Sequence, residues 1–527
     1  DILAVATKNF TNDYIPEITG GGSAPGDFSM QTNTGKTTTT LLSYLGRVIY
    51  SYNNRYFLSG SIRSDASSRF GPRNKWGQFG AVSAGWTLSN ESFYHDWLGR
   101  NSSLKLRASW GLTGNNNIPN YKDLQYITGT GGVVIGNTVY NGSWAGDLAD
   151  PSLGWESTSQ FNFGLDATVL NNRVSFFVNY YLSKSYNLLY NKTISAISGT
   201  NFLLTNLRNS NIRNQGFDLQ MDVKVIQSKD LNLNFSGNIT ANRNKVISLG
   251  GASEIQTAGA ERSYITHITR EGAPVGSFYG IEVAGMVRET DMPKVNADLA
   301  VYKANNNKFP AGYKLQGFPF AAAYSSTPLN PGDLYFKDKN GDGIISDADK
   351  DIIGSPYPDF TYGFAISANY KAFDMSASFN GSQGNKIIDG QDYYIRNMEG
   401  SGNQYALIDQ RYRSEQRPGN GHEYRASRGS TQSNSTRLSN YYLQNGSFFR
   451  CTNITAGVNL AQLLGVDKAG LSGLRFYVSV DNVFAVTKYL GYNPEVDFNN
   501  GSNLTPGVDY GKYPLMRSFN TGVKLQF

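Results

Sequence analysis

A strict period of two at the end of the chain constrains its fold more than any other feature. Between Tyr513 and Phe527, Leu515, Phe519, Thr521, Val523, Leu525 and Phe527 share one parity, interrupted only by Arg517. Ser518, Asn520, Gly522, Lys524 and Gln526 share the other, with Met516 at their head. That alternation describes a strand with one apolar and one wet face. The signature returns from Phe161 to Val169, Phe217 to Val225 and Leu231 to Ile239, and again from Leu104 to Leu112, Val174 to Leu182, Phe360 to Tyr370, Phe373 to Phe379 and Leu474 to Phe484. Such windows exceed the usual strand of about 5–6 residues. About ten residues tilted by roughly 45° is the length that crosses a bilayer.

The wet parity is rich in Asn, Ser, Gln, Asp and Gly, as a water-filled interior requires. The chain therefore reads as all-β, a transmembrane antiparallel β-barrel. Composition agrees. Hydrophobic residues make up 39% of the chain and no apolar run nears the ~18 residues of a membrane helix. A barrel needs only every second residue apolar, and a mean hydropathy of −0.40 does not oppose it. Charged residues, at 17%, fall below the ~25% of soluble domains. The 34 Tyr and 29 Phe suit girdles at two bilayer interfaces. The net charge of +6 comes from scattered Lys and Arg with no basic face, which argues against nucleic acid. Cys451, alone, permits no internal disulfide and reads as a packed thiol.

Connections between windows come in two sizes. Short ones lie at Asn53-Asn54, Asn171-Asn172, 227–230 and Lys371-Ala372, with moderate ones near 91–102 and 461–471. Long ones lie near 65–76, 113–155, 191–210, 247–356, 386–446 and 488–513. The two sizes alternate, as short periplasmic turns and long extracellular loops do in outer-membrane barrels. This predicts strands near 41–52, 77–88, 156–170, 211–226, 357–370, 447–460 and 514–527 running from outside to periplasm, and strands near 55–64, 103–112, 173–190, 231–246, 373–385 and 472–487 running outward. The C-terminus then lies in the periplasm. The segment 276–288 sits inside a long excursion and stays unassigned. An odd antiparallel set beginning and ending downward cannot close on itself, so the expectation is the C-terminal portion of a larger barrel. Residues 1–40 read as a loop or lead-in and 41–527 as the barrel portion.

Several phrases carry a family likeness. They are Ser43-Tyr44-Leu45-Gly46-Arg47, Ser64-Asp65-Ala66-Ser67-Ser68-Arg69-Phe70-Gly71-Pro72, Trp110-Gly111-Leu112-Thr113-Gly114-Asn115, Gly276-Ser277-Phe278-Tyr279-Gly280, the run from Pro331 to Gly343, and Val480-Asp481-Asn482-Val483-Phe484 leading to Lys488 through Glu495. In this order, across about 40–527, the chain resembles the SusC/RagA-type TonB-linked outer-membrane transporters. The resemblance implies a 22-stranded barrel plugged by an N-terminal domain, capped by a SusD-like lipoprotein and driven by TonB. It implies import of a nutrient too large for porins, chiefly an oligosaccharide and in some members an oligopeptide. The plug and first strands of that pattern are absent from this sequence. An outer-membrane barrel enzyme and a surface adhesin are the rival classes.

The clearest chemical motif is the loop 338–349, within the excursion 289–356. Asp338, Asn340 and Asp342 hold positions 1, 3 and 5 of a twelve-residue calcium loop, Gly343 the sharp turn, Ile344 the carbonyl at 7 and Asp349 position 12. Asp349 replaces the usual bidentate Glu, and Asx turns explain the same residues without a metal. The expected cofactor is a structural Ca²⁺. Aromatics on the long loops, Tyr140 and Trp144 in 113–155 and Tyr393, Tyr394 and Tyr424 in 386–446, are candidate ligand contacts, with loop packing as the plainer reading. No nucleophile elbow, phosphate loop or C-x-x-C is present, and His95, His267 and His422 have no metal-ligand spacing. No catalytic residue is expected.

Overall fold

The computed structural model describes residues 38–94, 101–136, 138–259, 264–320, 329–400, 402–427, 434, 437–465, 473–496, 498–499 and 501–526. Most of the expected lead-in, 1–37, lies outside the described residues, as do His95 and Phe527.

Thirteen strands form one sheet, each next to its predecessor and antiparallel to it. They are β1 (Leu41–Tyr52), β2 (Tyr56–Ser67), β3 (Trp76–Thr87), β4 (Ser103–Asn115), β5 (Glu156–Val169), β6 (Val174–Thr193), β7 (Phe202–Gln227), β8 (Leu231–Leu249), β9 (Phe360–Tyr370), β10 (Phe373–Gln383), β11 (Phe448–Asn459), β12 (Gly473–Thr487) and β13 (Ser518–Gln526). Each falls on one of the thirteen strand ranges expected from alternation and connection length. β1 and β13 are the two edges of the sheet.

Register explains why alternation fixes the fold. Like parity faces like parity at every step: Leu106 opposes Leu165, Leu165 opposes Val178, and Val178 opposes Leu219. The series continues with Leu219 against Ile239, Phe364 against Phe379 and Val480 against Phe519. The result is one continuous apolar face, with Val48 at 72% and Phe163 at 45% exposure, where a barrel meets lipid. The other face collects the polar parity. A one-residue slip in any strand would send its polar set into the apolar face.

The short connections are tight turns for a stated reason. Asn53 and Asn54 both adopt positive φ, 47° and 53°, as a two-residue hairpin turn requires. Asn171 and Asn172 do likewise at 55° and 63°. Aromatic polar tips gather at this end: the Tyr56 hydroxyl (2.7 Å) and Trp86 Nε1 (3.1 Å) both donate to Glu91. Such rings, apolar in body and polar at one tip, suit a membrane interface.

Two expectations need correction. The loop expected at 191–210 shrinks to 194–201, because pairing resumes beyond a bulge and Leu188 to Thr193 run against Leu207 to Phe202. Leu188, Tyr190, Leu207, Val246 and Leu249 pack together there, which supports the longer strands. The last strand begins at Ser518, later than the apolar Leu515 suggested. The segment 276–288 belongs to neither wall nor turn: Ser277–Gly280 and Val283–Met286 enter two small sheets outside the wall.

The long connections build a roof over one end. Glu254–Ala258, Ile265–Arg270, Ser277–Gly280 and Asp351–Gly354 form a four-stranded sheet, and Leu334–Phe336 pairs with Val283–Met286. Lys386–Asp389 lies between Leu443–Asn445, at the far end of its own excursion, and Val508–Asp509, tying that excursion to the one that precedes β13. A helix, Met292–Ala304, starts with Pro293 in its first turn, where a missing N–H costs nothing. The roof has cores of its own: Ile281, Leu334, Phe336, Met398, Tyr424 and Tyr442 form one, and Val295, Tyr302, Phe320 and Leu329 another. Each fully buried side chain of this size contributes roughly 1.5–3 kcal/mol.

Candidate functional site

The polar face carries a chain of charge-assisted contacts from β4 to β13. Arg107 grips Asp166 with two bonds, 2.7 and 2.6 Å, and reaches Asn179 at 3.0 Å. Ser236 donates to Asp222 at 2.6 Å. Arg475 holds Asp374, at 2.8 and 2.5 Å. Asn453, Ser518 and Asn520 all converge on Asp481, at 2.6, 3.0 and 2.9 Å. Asp166 and Asp374 are paired with cations, while Asp222 and Asp481 are held by hydroxyl and amide donors, which leaves the wall hydrophilic.

Where this wall meets the roof lies a cleft of about 620 Å³. Asn238, Asn380 and Ser382 line it from the wall, and Asn385, Lys386, Glu495 and Lys512 from the roof. The Asn493-Pro494-Glu495 phrase folds back to this cleft because Arg450 on β11 pairs with Glu495 and donates to Asn493 at 3.1 Å. Ile387, Phe448 and Pro506 line it as well, so the cleft sets a few polar groups against apolar walls, as sites for small-to-medium ligands do.

Above it, the roof buries a charged node. Arg396, 4% exposed at its side chain, sits between Asp392 (2.8 Å) and Glu423 (2.6 Å) and over the Tyr441 ring at 4.3 Å. The Gln444 amide bridges Asp389 and Asp392, at 3.2 and 2.8 Å. Burial, and next the neighbouring Asp392 charge, push Asp389 up to about 7. Burial opposes ionisation of Glu423, but the His422 contact and Arg396 outweigh it and hold the carboxyl at about 2. Tyr489 donates to Asp509 at 2.6 Å. This node was not legible in the sequence: its members are scattered from 389 to 509, and only the density of Tyr and Arg in 386–446 hinted at it.

The aromatic candidates separate. Tyr140 and Trp144 sit on Thr138–Ala145, which pairs with Ile127–Ile135 in a hairpin outside the main sheet, with Tyr140 53% exposed. Tyr393 and Tyr394 sit on a short helical turn, Asp392–Ile395, where the Tyr393 hydroxyl meets that of Tyr264 at 3.1 Å. Tyr424 is fully buried, its hydroxyl between Met398 and Arg396 backbone groups, and is therefore a packing residue. His267 is also internal: it contacts Thr266 and the Pro506 carbonyl at 2.7 and 2.9 Å, and burial lowers it to about 4.

In the loop 338–349, Asp338 accepts from Gly341 and Gly343 amides at 2.6 and 2.7 Å, with positive φ at both glycines. Asp342 accepts from the Ile344 amide at 2.7 Å and Asn340 from the Asp342 amide at 3.0 Å. Asp349 accepts from the amides of Lys339 (2.9 Å) and Ser346 (2.7 Å), closing the loop at its neck. Among the described residues no group of three His, Cys, Asp or Glu side chains converges as a metal site.

The family described as TonB dependent receptor-like, beta-barrel matches residues 5–262. TonB-dependent receptor P3 of Formosa agariphila is 31% identical over 100% of this chain and 49% of its own length. TonB-dependent receptor SusC of Bacteroides thetaiotaomicron is 30% identical over 93% of this chain and 44% of its own. The chain spans about half the length of the relatives it matches. A structure of the RagAB peptide transporter superposes with a TM-score of 0.74 at 23% identity, covering 99% of this chain and 51% of the other, a likeness of fold. The names of these relatives are those of receptors and a transporter, and none is that of an enzyme. The chain belongs to the TonB-dependent receptor β-barrel family, of the SusC/RagA type, whose place is the bacterial outer membrane.

Proposed function

We propose that the protein containing this chain imports an oligosaccharide across the outer membrane, energised by TonB and working with a SusD-like surface lipoprotein. The observation that carries the reading is the cleft between polar wall and roof. Amides and a hydroxyl from Asn238, Asn380, Ser382 and Asn385 suit the hydroxyls of a sugar chain, and Phe448 and Ile387 beside them offer an apolar surface for its rings. A SusC-like sequence along the chain supports the energised route and the lipoprotein partner. The long connections are then extracellular and the C-terminus periplasmic. Likeness to a peptide transporter keeps an oligopeptide as the second substrate class.

Uptake of fluorescent oligosaccharides and oligopeptides by cells with and without the full-length protein distinguishes the two. Loss of sugar uptake alone, and its equal loss without TonB, is the expected result. Sugar uptake that survives removal of both TonB and the lipoprotein would reduce the protein to a passive pore. For orientation, cysteines at Gly142 or Asn420 react with an impermeant thiol reagent on intact cells while one at Asn171 does not.

Calcium in the loop 338–349 is a separate proposal, supported by the closed neck at Asp349 and the Asp338 turn. Asp338, Asn340, Asp342, the Ile344 carbonyl and Asp349 would supply the oxygens. Chelation should raise amide exchange across 330–356 and leave the wall unchanged. Identical exchange with and without chelator returns the loop to a set of Asx turns.

A further inference from the structure

Lys184, Arg213 and Lys245 stand in register on three neighbouring strands. Arg213 on β7 lies directly opposite Lys184 on β6 and directly opposite Lys245 on β8. Directly opposed residues share a face. Parity identifies it: Lys184 continues the row of Phe176, Val178, Tyr180 and Leu182, and Arg213 precedes Gln215, Phe217, Leu219 and Met221. Lys245 follows Ile239, Ala241 and Arg243. The three cations therefore point out of the apolar face, just past the apolar band on the roof side.

Like charges placed directly opposite destabilise a sheet. Nothing in the described chain relieves them. Arg243, one step nearer the band, pairs with Asp359 at 3.0 Å, but none of the three makes an ion pair among the described residues. The Arg213 Nε is buried and has no hydrogen-bond partner. Lys245 is exposed, while Lys184 and Arg213 are half-buried. Tyr186, the next residue on the same parity of β6, is of the type that lines a membrane interface.

A flush row of unpaired cations at the border of a lipid-facing band meets lipid headgroups. Basic clusters at that depth recognise anionic heads, and a guanidinium binds a phosphate through two parallel bonds. We infer that Lys184, Arg213 and Lys245 form a site for the phosphate-bearing headgroup of an anionic membrane lipid. The site rests on the membrane placement of the wall; with the roof outside, the lipid belongs to the outer leaflet. It does not require that the protein import anything.

The test uses the purified full-length protein in neutral detergent, with lipid A as probe and native mass spectrometry as readout. Changing all three residues to Gln should weaken lipid A retention about a hundredfold, each cation at a membrane surface contributing roughly fivefold. Dephosphorylated lipid A should not be retained, and millimolar inorganic phosphate should not displace the lipid. Equal retention by the triple variant, or of the dephosphorylated lipid, overturns the site; displacement by inorganic phosphate alone overturns the lipid assignment in favour of a free anion. Arg213→Gln supplies a second reading that does not depend on the triple variant folding. Without anionic lipid it relieves like-charge repulsion and should raise the melting temperature; with lipid A added it should gain less stability than the parent. A variant less stable under both conditions makes Arg213 a structural residue. Because transport enters neither measurement, failure of the import reading leaves both results interpretable.

Discussion

Wall and roof obey opposite rules within one chain. The wall leaves its apolar side chains in the open, Val48 at 72% and Val523 at 61%, and keeps its polar ones in ordered rows on the other face. The roof hides its apolar side chains, Phe278, Phe320 and Phe336 among them, and buries charge beside them. For the wall, lipid replaces the core that a soluble domain would build, so each strand needs only its neighbours and the right parity. The roof stands in water and must assemble cores of its own from distant segments. Membrane environment, more than sequence composition, separates the two.

Breaking the roof's charged node should produce the largest effect. Arg396→Met removes the one cation between Asp392 and Glu423 and leaves buried carboxylates without it, a loss of about 3–5 kcal/mol. Amide exchange should rise through 386–446 while the wall strands stay protected. Wall strands that exchange equally would mean that the two regions fold as one unit. The wall is tested by a pair of substitutions on β7. Leu219→Arg places a charge in the apolar face opposite Val178 and Ile239, at a cost of about 2–4 kcal/mol near the bilayer midplane. Gln220→Arg, its neighbour on the polar face, should be close to neutral in a membrane-refolding titration. Equal costs would erase the distinction between the faces.

The same contrast explains what could be read from the sequence. Thirteen strands and their short turns were legible because wall contacts are local and periodic: Asn53-Asn54 or Lys371-Ala372 joins strands that pair at once. The roof was not, because its decisive contacts join residues far apart, such as His267 to Pro506, 239 positions away, or Gln444 to Asp389. Alternation is silent about such pairs. Tyr424 shows the consequence. As a loop aromatic it reads as a ligand candidate with packing as the plainer alternative, and its burial beside Met398 favours packing. The family phrases fared better: Pro494 and Glu495, quoted for likeness alone, reach the cleft through Arg450. The extended pairing of Leu188 to Thr193 was hidden by a bulge, which shifts the parity midway along the strand.

The smallest expected effect is a dependence of the roof on pH that the wall lacks. Asp389 is 2% exposed and faces Asp392 and Asp509, with Arg396, Tyr405 and Tyr489 close by. Burial and the Asp392 charge raise it to about 7, so the folded roof holds a proton there that an unfolded chain, with an ordinary carboxyl, has released. A raised carboxyl contributes stability only while protonated. The contribution is full below the ordinary carboxylate range and declines as pH rises through about 7. Between pH 6 and 8 the loss amounts to about 1 kcal/mol, one pKa unit being worth about 1.4 kcal/mol. Amide exchange over 386–396 should therefore quicken several-fold from pH 6 to 8, after correction for the intrinsic rate, while β7 and β8 do not change. Asp389→Asn keeps an uncharged side chain at every pH and should remove the dependence, holding the roof at its low-pH protection. If the variant still loosens between pH 6 and 8, the proton belongs to another member of the node, and Asp392→Asn is the next substitution to read.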